Sequence, residues 1–200
     1  MRMSAKTWQR AALEGVELEY RTLGSGEPVV LVHAGVFADW FEPLITEPAL
    51  ASRYCLVTYH RVGYAGSSDV RGPVSIAQQA AHARALMVRL GIERAHVVGH
   101  SSGANIAMQL ALDAPQMVQS LALLESALPV PSSSPGRAGI PKAAELYRAG
   151  DKAAAVDTFM RAVAGPDYRA SADRVLPHAF DQAVADADTF FGQELPAIQQ

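Results

Sequence analysis

The chain has 200 residues, half of them hydrophobic and 18% charged, with a formal net charge of −3. That balance belongs to a folded, water-soluble chain with enough length for a sizeable core, organised as one main domain with at most an appendage. The mild acidity and the scattered 17 Lys and Arg argue against nucleic acid or an anionic membrane surface as partner, because both select clustered basic residues.

Cys55 is the single cysteine, so no intrachain disulfide can form and cytoplasmic residence is expected. The segment Met1 to Trp8 has no apolar core of signal-peptide length, and no apolar run is long enough to span a bilayer. No spacing of His, Cys, Asp and Glu suits a metal.

In chain order, Gly15 to Leu23 alternates apolar and polar side chains and predicts a half-buried antiparallel strand ended by Gly24-Ser25-Gly26. Three continuous apolar runs follow, Pro28 to His33, Tyr54 to Tyr59 and Ala95 to His100, and a fourth spans Ser120 to Leu124. Such runs predict strands buried on both faces of a parallel sheet. Between them, Ser75 to Leu90 predicts a helix capped by Ser75 and stopped by Gly91, with Ile76, Ala80, Ala83, Met87 and Leu90 at helical spacing. Gly103 to Asp113 predicts a second helix, stopped before Pro115. Strands alternating with helices give an α/β, mostly parallel sheet flanked by helices.

The pattern changes at Pro129 to Gly139, rich in Pro, Ser and Gly, which reads as a linker. Beyond it the chain is Ala-rich, and Lys142 to Arg148, Lys152 to Val163 and Ser171 to Phe191 read as helical. The expected organisation is an α/β core over residues 1–130 and a C-terminal helical cap over residues 131–200.

The segment with the clearest chemistry is Gly99-His100-Ser101-Ser102-Gly103. A buried strand runs into it and an Ala-rich helix runs out. A serine on so sharp a strand-to-helix turn needs small neighbours two residues away on either side. The turn would lift the hydroxyl to the C-terminal edge of the sheet, where the helix N-terminus favours developing negative charge.

From Val16 to Leu124 the sequence resembles the α/β-hydrolase superfamily, through three motifs in order. Leu31-Val32-His33-Ala34-Gly35 is similar to the family's His-Gly oxyanion loop. Tyr59-His60-Arg61-Val62-Gly63-Tyr64-Ala65-Gly66-Ser67-Ser68 resembles its Asp-x-Arg-Gly-x-Gly-x-Ser turn. Gly99 to Gly103 resembles its nucleophile elbow. The departures are Ala34 for the first loop glycine, His60 for the usual Asp, and Val62 where Gly or Arg is common. The resemblance implies Ser101 as nucleophile. It also implies an oxyanion hole formed by the backbone N–H of Ser102 and one from Gly35 or Val36.

A serine nucleophile needs a base and an orienting acid, in the family order Ser, acid, His. The one acid candidate is Glu125, expected on the same rim as Ser101 because it follows the strand Ser120 to Leu124. The one later histidine, His178, lies inside the helical tail and reads as a surface or packing residue. The family returns to the sheet after its cap and carries its histidine there, whereas Glu194 to Gln200 shows no such return. The expectation is therefore an incomplete core, with an unpaired apolar sheet edge. The resemblance implies a carboxylic-ester or lactone hydrolase acting on a small, partly apolar acyl substrate, with no metal or organic cofactor. A non-catalytic binding relative or a truncated fragment stands as the alternative.

Overall fold

The computed structural model describes residues 7–70, 72–128 and 139–198. The strands are β1 (Gln9–Ala12), β2 (Glu17–Leu23), β3 (Glu27–Val32), β4 (Tyr54–Tyr59), β5 (Ala95–His100) and β6 (Val118–Leu124). They form one sheet in the order β1-β2-β4-β3-β5-β6, with β1 and β2 antiparallel and the other four parallel to one another. The strand β1 was not expected from the sequence, because Ala11 is its one buried residue.

Each continuous apolar run divides by strand alternation between two faces. Val30 and Val32 of β3, Val57 and Tyr59 of β4 and Val97 of β5 face one core. Val29, Leu31 and Leu56 face another, covered by Phe41, Ile45 and Ala51. The helix α3 (Ile76–Arg89) packs on the first face through Ala80, Ala83, Leu86 and Met87. It starts where expected, because Ser75 and Gln78 bond each other's backbone N–H in a capping box. It ends at Leu90 before Gly91, whose φ of +69° suits a residue without Cβ. The helix α4 (Ser102–Asp113) buries Ala104, Ile106, Ala107 and Leu110 beside it. Two short helices, α1 (Glu42–Ile45) and α2 (Pro48–Ala51), cover the second face. No helix of the described residues is long and apolar enough to cross a membrane.

The strand β6 meets one expectation and not the other: it is the unpaired apolar edge among the described strands, and its run is not buried on both faces, since Leu121, Leu123 and Leu124 are 36%, 38% and 43% exposed. The reason is its position: β5 flanks one side and no described strand flanks the other.

The expected linker lies almost wholly in residues 129–138, outside the described residues. From Gly139 the chain is helical, as α5 (Gly139–Arg148), α6 (Lys152–Ala164), α7 (Tyr168–Val175) and α8 (Ala179–Ala185). The single helical segment expected over Ser171 to Phe191 is instead broken, because His178 adopts a left-handed φ of 74° after Pro177. A short helix, α9 (Ala187–Thr189), and a π-helical turn, Phe190–Glu194, follow. These helices share an apolar cluster with Val36 and Phe37 of the loop after β3. They are also pinned to the turn after β4: Thr189 Oγ1 donates to the Gly63 carbonyl at 2.6 Å, and the Asp186 carboxylate accepts from the Ala65 N–H at 3.1 Å.

An open apolar edge recruits other chains. Leu123→Lys is expected to lower self-association in light scattering while changing unfolding free energy by no more than about 0.5 kcal/mol. Unchanged scattering would show that β6 does not drive association.

Candidate active site

The sharp turn falls where the sequence places it. β5 ends at His100, α4 begins at Ser102, and Ser101 between them has φ 52° and ψ −120°. A non-glycine residue in this region is strained by ~1–3 kcal/mol and persists only where its surroundings hold it. Here the Ser101 N–H donates to the Leu124 carbonyl at 2.9 Å, and the Ser101 carbonyl accepts from Ala104 at 3.0 Å and Ala127 at 3.3 Å.

The flanking glycines explain the spacing. A Cβ on Gly99 would overlap the backbone of Gly103 and Ala104, and one on Gly103 would overlap the carbonyls of Val32 and His33. The first turn of α4 thus lies directly against the end of β3. No side chain caps α4, so its first N–H groups face the rim beside Ser101.

The loop after β3 is locked to this helix end. The Gly35 N–H donates to Ser102 Oγ at 3.1 Å, so of the two loop candidates Gly35 has its N–H engaged. Val36 sits at φ 72°, is buried, and has no hydrogen-bond partner for its N–H among the described residues. Behind it His33 is wholly buried; its Nδ1 lies 2.6 Å from the Ala34 carbonyl and its Nε2 accepts the Arg61 N–H at 3.0 Å. Those partners assign a hydrogen to Nδ1 and a lone pair to Nε2. Burial, helped by the Arg61 charge, holds the imidazole well below its ordinary pKa of 6.5.

The turn after β4 braces this loop. His60 stands between two carboxylates, with Nδ1 2.8 Å from Glu19 and Nε2 2.9 Å from Asp39. Ser67 Oγ donates to the His60 carbonyl at 2.6 Å and accepts the Glu19 N–H at 2.9 Å. Arg61 is buried, donating to Gln79 at 2.6 Å and to Glu194 at 3.0 and 3.2 Å, while Tyr64 donates to Glu194 at 2.5 Å. Burial and the Glu194 charge push the Tyr64 phenol well above its ordinary range. A buried ion pair thereby ties the helical tail to the rim. Phe190 and Glu194 lie against Gly35, where a Cβ would strike the Phe190 ring.

Glu125 follows β6 at φ 48° with its side chain 90% exposed, and its carboxylate is 3.8 Å from His100 Nε2. His100 stacks on Trp40 at 4.4 Å and 8°, and burial lowers its pKa against the opposing pull of Glu125. His178 is exposed at the start of α8. Among the described residues no imidazole hydrogen-bonds to Ser101 Oγ, and no three His, Cys, Asp or Glu are placed to hold a metal ion. Sequence reasoning missed Trp40, Asp39, Asp186 and Glu194. Their partners lie in other elements, and no local motif marks them.

The α/β-hydrolase fold family matches residues 27–174, and the chain belongs to that family. It is 38% identical over 121 residues to a dihydrolipoyllysine-residue acetyltransferase component of an acetoin cleaving system from Cupriavidus necator, covering 60% of this chain and 32% of that protein. It is 37% identical over 109 residues to a putative carbamate hydrolase, RutD, from Azorhizobium caulinodans, covering 54% of this chain and 40% of that one. These matches therefore span about a third to two fifths of the relatives' length. Among solved structures, an enol-lactonase from Burkholderia xenovorans LB400 superposes with TM-score 0.77 at 23% identity, over 95% of this chain and 73% of that one.

Two substitutions test the geometry. Gly103→Ala is expected to cost ~3 kcal/mol or more in denaturant unfolding, because the clash is with backbone carbonyls; a cost under ~1 kcal/mol would refute the close contact. His33 gives a pH test. Its folded pKa is depressed, so the unfolded chain binds the extra proton first as pH falls. Its contribution is present above pH 6.5, the ordinary value, and is lost as pH drops below it. His33→Asn should reduce the slope of stability between pH 6.5 and 5 by up to ~1.4 kcal/mol per pH unit. An unchanged slope would place the wild-type ring in a titratable setting.

Proposed function

We propose that the chain is a serine-nucleophile hydrolase of small, partly apolar carboxylic esters or lactones, with Ser101 attacking the acyl carbonyl. The observation that carries this is the left-handed Ser101 at the uncapped start of α4, whose next residue, Ser102, holds the loop after β3 by accepting the Gly35 N–H. In this reading the tetrahedral oxyanion rests on the N–H groups of Ser102 and Val36, while Gly35 holds the loop against the helix through Ser102 Oγ. The helices after Gly139 serve as the cap, packing on Val36 and Phe37 and shielding the acyl group from water. Glu125 is the candidate orienting acid, at the end of the strand whose carbonyl holds the Ser101 N–H. A serine at this turn supports an acyl-enzyme rather than the alkyl-enzyme chemistry of an aspartate. No step calls for a metal or organic cofactor. The free, half-buried Cys55 supports cytoplasmic residence.

A second reading, a binding protein that keeps the pocket without turnover, is favoured by one observation: no described imidazole bonds Ser101 Oγ. Hydrolysis of short-chain p-nitrophenyl esters separates the two. The hydrolase reading predicts turnover that falls by at least ~100-fold in Ser101→Ala. Tight ester binding without product, unchanged by the substitution, supports the binding protein.

A further inference from the structure

At the end of the sheet opposite Ser101, adjacent parallel strands carry a row of polar side chains. Tyr54 opens β4 in register with Glu27 of β3, and His96 of β5 is in register with Ser120 of β6. His96 Nδ1 lies 2.7 Å from Ser120 Oγ, and His96 Nε2 lies 3.2 Å from Glu27 Oε2. The Tyr54 ring meets the imidazole edge-on at 6.0 Å. A carboxylate only accepts, so the hydrogen on Nε2 faces Glu27 and the Nδ1 lone pair is left for the Ser120 hydroxyl. The wiring of the three groups is that of a nucleophile, its base and the acid that fixes the base's tautomer.

The geometry points to a second acyl-accepting site, with Ser120 as nucleophile, His96 as general base and Glu27 as orienting carboxylate. The site is reachable, since Ser120 is exposed and the His96 side chain is 24% exposed. A donor for the oxyanion is at hand as well. The Leu124 carbonyl points toward the β5 side, where it accepts from Ser101, so strand alternation gives Ala122 and Ser120 the same sense and turns the Leu121 N–H away from β5, to the side where no described strand lies. On the face of Ser120, the exposed Ala122 and Leu124 offer an apolar strip for a short alkyl group.

The substrate class is a small activated ester, such as an aryl acetate or propionate. Ser120 Oγ bonds to the carbonyl carbon as Nδ1 takes the hydroxyl proton. The C–O bond to the aryloxide then breaks, and the leaving oxygen receives that proton. Water, deprotonated in the same way, attacks the acyl-serine, releasing carboxylic acid and free Ser120.

The test is an alkyl fluorophosphonate applied to the whole chain, with the adduct mapped by mass spectrometry. In that reaction the Oγ–P bond forms, the P–F bond breaks, fluoride leaves and His96 takes the proton. An adduct on Ser120 is expected in wild type and in Ser101→Ala, absent in Ser120→Ala, and slowed about 100-fold in His96→Gln. Mapping by residue keeps this result separate from any reaction at Ser101. The proposal is overturned if Ser120 carries no adduct, if His96→Gln reacts as fast as wild type, or if folded and urea-unfolded wild type react at equal rates. The last comparison needs no substitution to fold.

Discussion

The first turn of α4 lies so close to the end of β3 that Gly103 has no room for a side chain beneath the carbonyls of Val32 and His33. The rest of the site depends on that approach. It puts the open N–H groups of the helix beside the loop after β3, lets Ser102 Oγ accept the Gly35 N–H, and leaves Ser101 only a left-handed conformation in which to join strand to helix. The strain at Ser101 is held by backbone bonds to Leu124, Ala104 and Ala127. These reach both the following helix and the segment around the end of the neighbouring strand, so the backbone of residue 101 is held from two sides.

A buried polar network supports this arrangement from below. His33, Arg61, Tyr64, Gln79 and Glu194 are all buried and are linked by hydrogen bonds, with Arg61 Nε alone among the Arg61 side-chain nitrogens left without a partner among the described residues. Removing one member of such a set leaves an unpaired buried charge or donor, which costs more than the pair itself contributes. The network also couples distant parts of the chain. Arg61 belongs to the turn after β4 and Glu194 to the helical tail, so the tail cannot lift without uncovering both charges. The Asp186, Thr189 and Gln193 bonds to the same turn reinforce that tie.

Much of this was legible in the residues. The Gly-x-Ser-x-Gly spacing encodes two backbone contacts, Gly99 on Gly103 and Gly103 on β3, and both are present. Ser75 reads as the N-cap of α3 and caps it, with Gln78 completing a capping box that the structure adds. Other features were not legible, for physical reasons. The strand β1 has one inward side chain, too few for a period. Glu194 looks like any helical surface acid until Arg61, 133 residues earlier, is brought beside it. The engaged Gly35 N–H depends on a side chain from another element, Ser102.

The proposed hydrolase reading sets the Ser101 hydroxyl beside the Ser102 and Val36 N–H groups, and a crystal structure of the protein phosphonylated at Ser101 tests that reading most directly. It predicts residue 101 at positive φ, with the phosphoryl oxygen within hydrogen-bond distance of the Ser102 and Val36 nitrogens. An adduct whose phosphoryl oxygen points to solvent, or a residue 101 relaxed into ordinary right-handed helix, would contradict it.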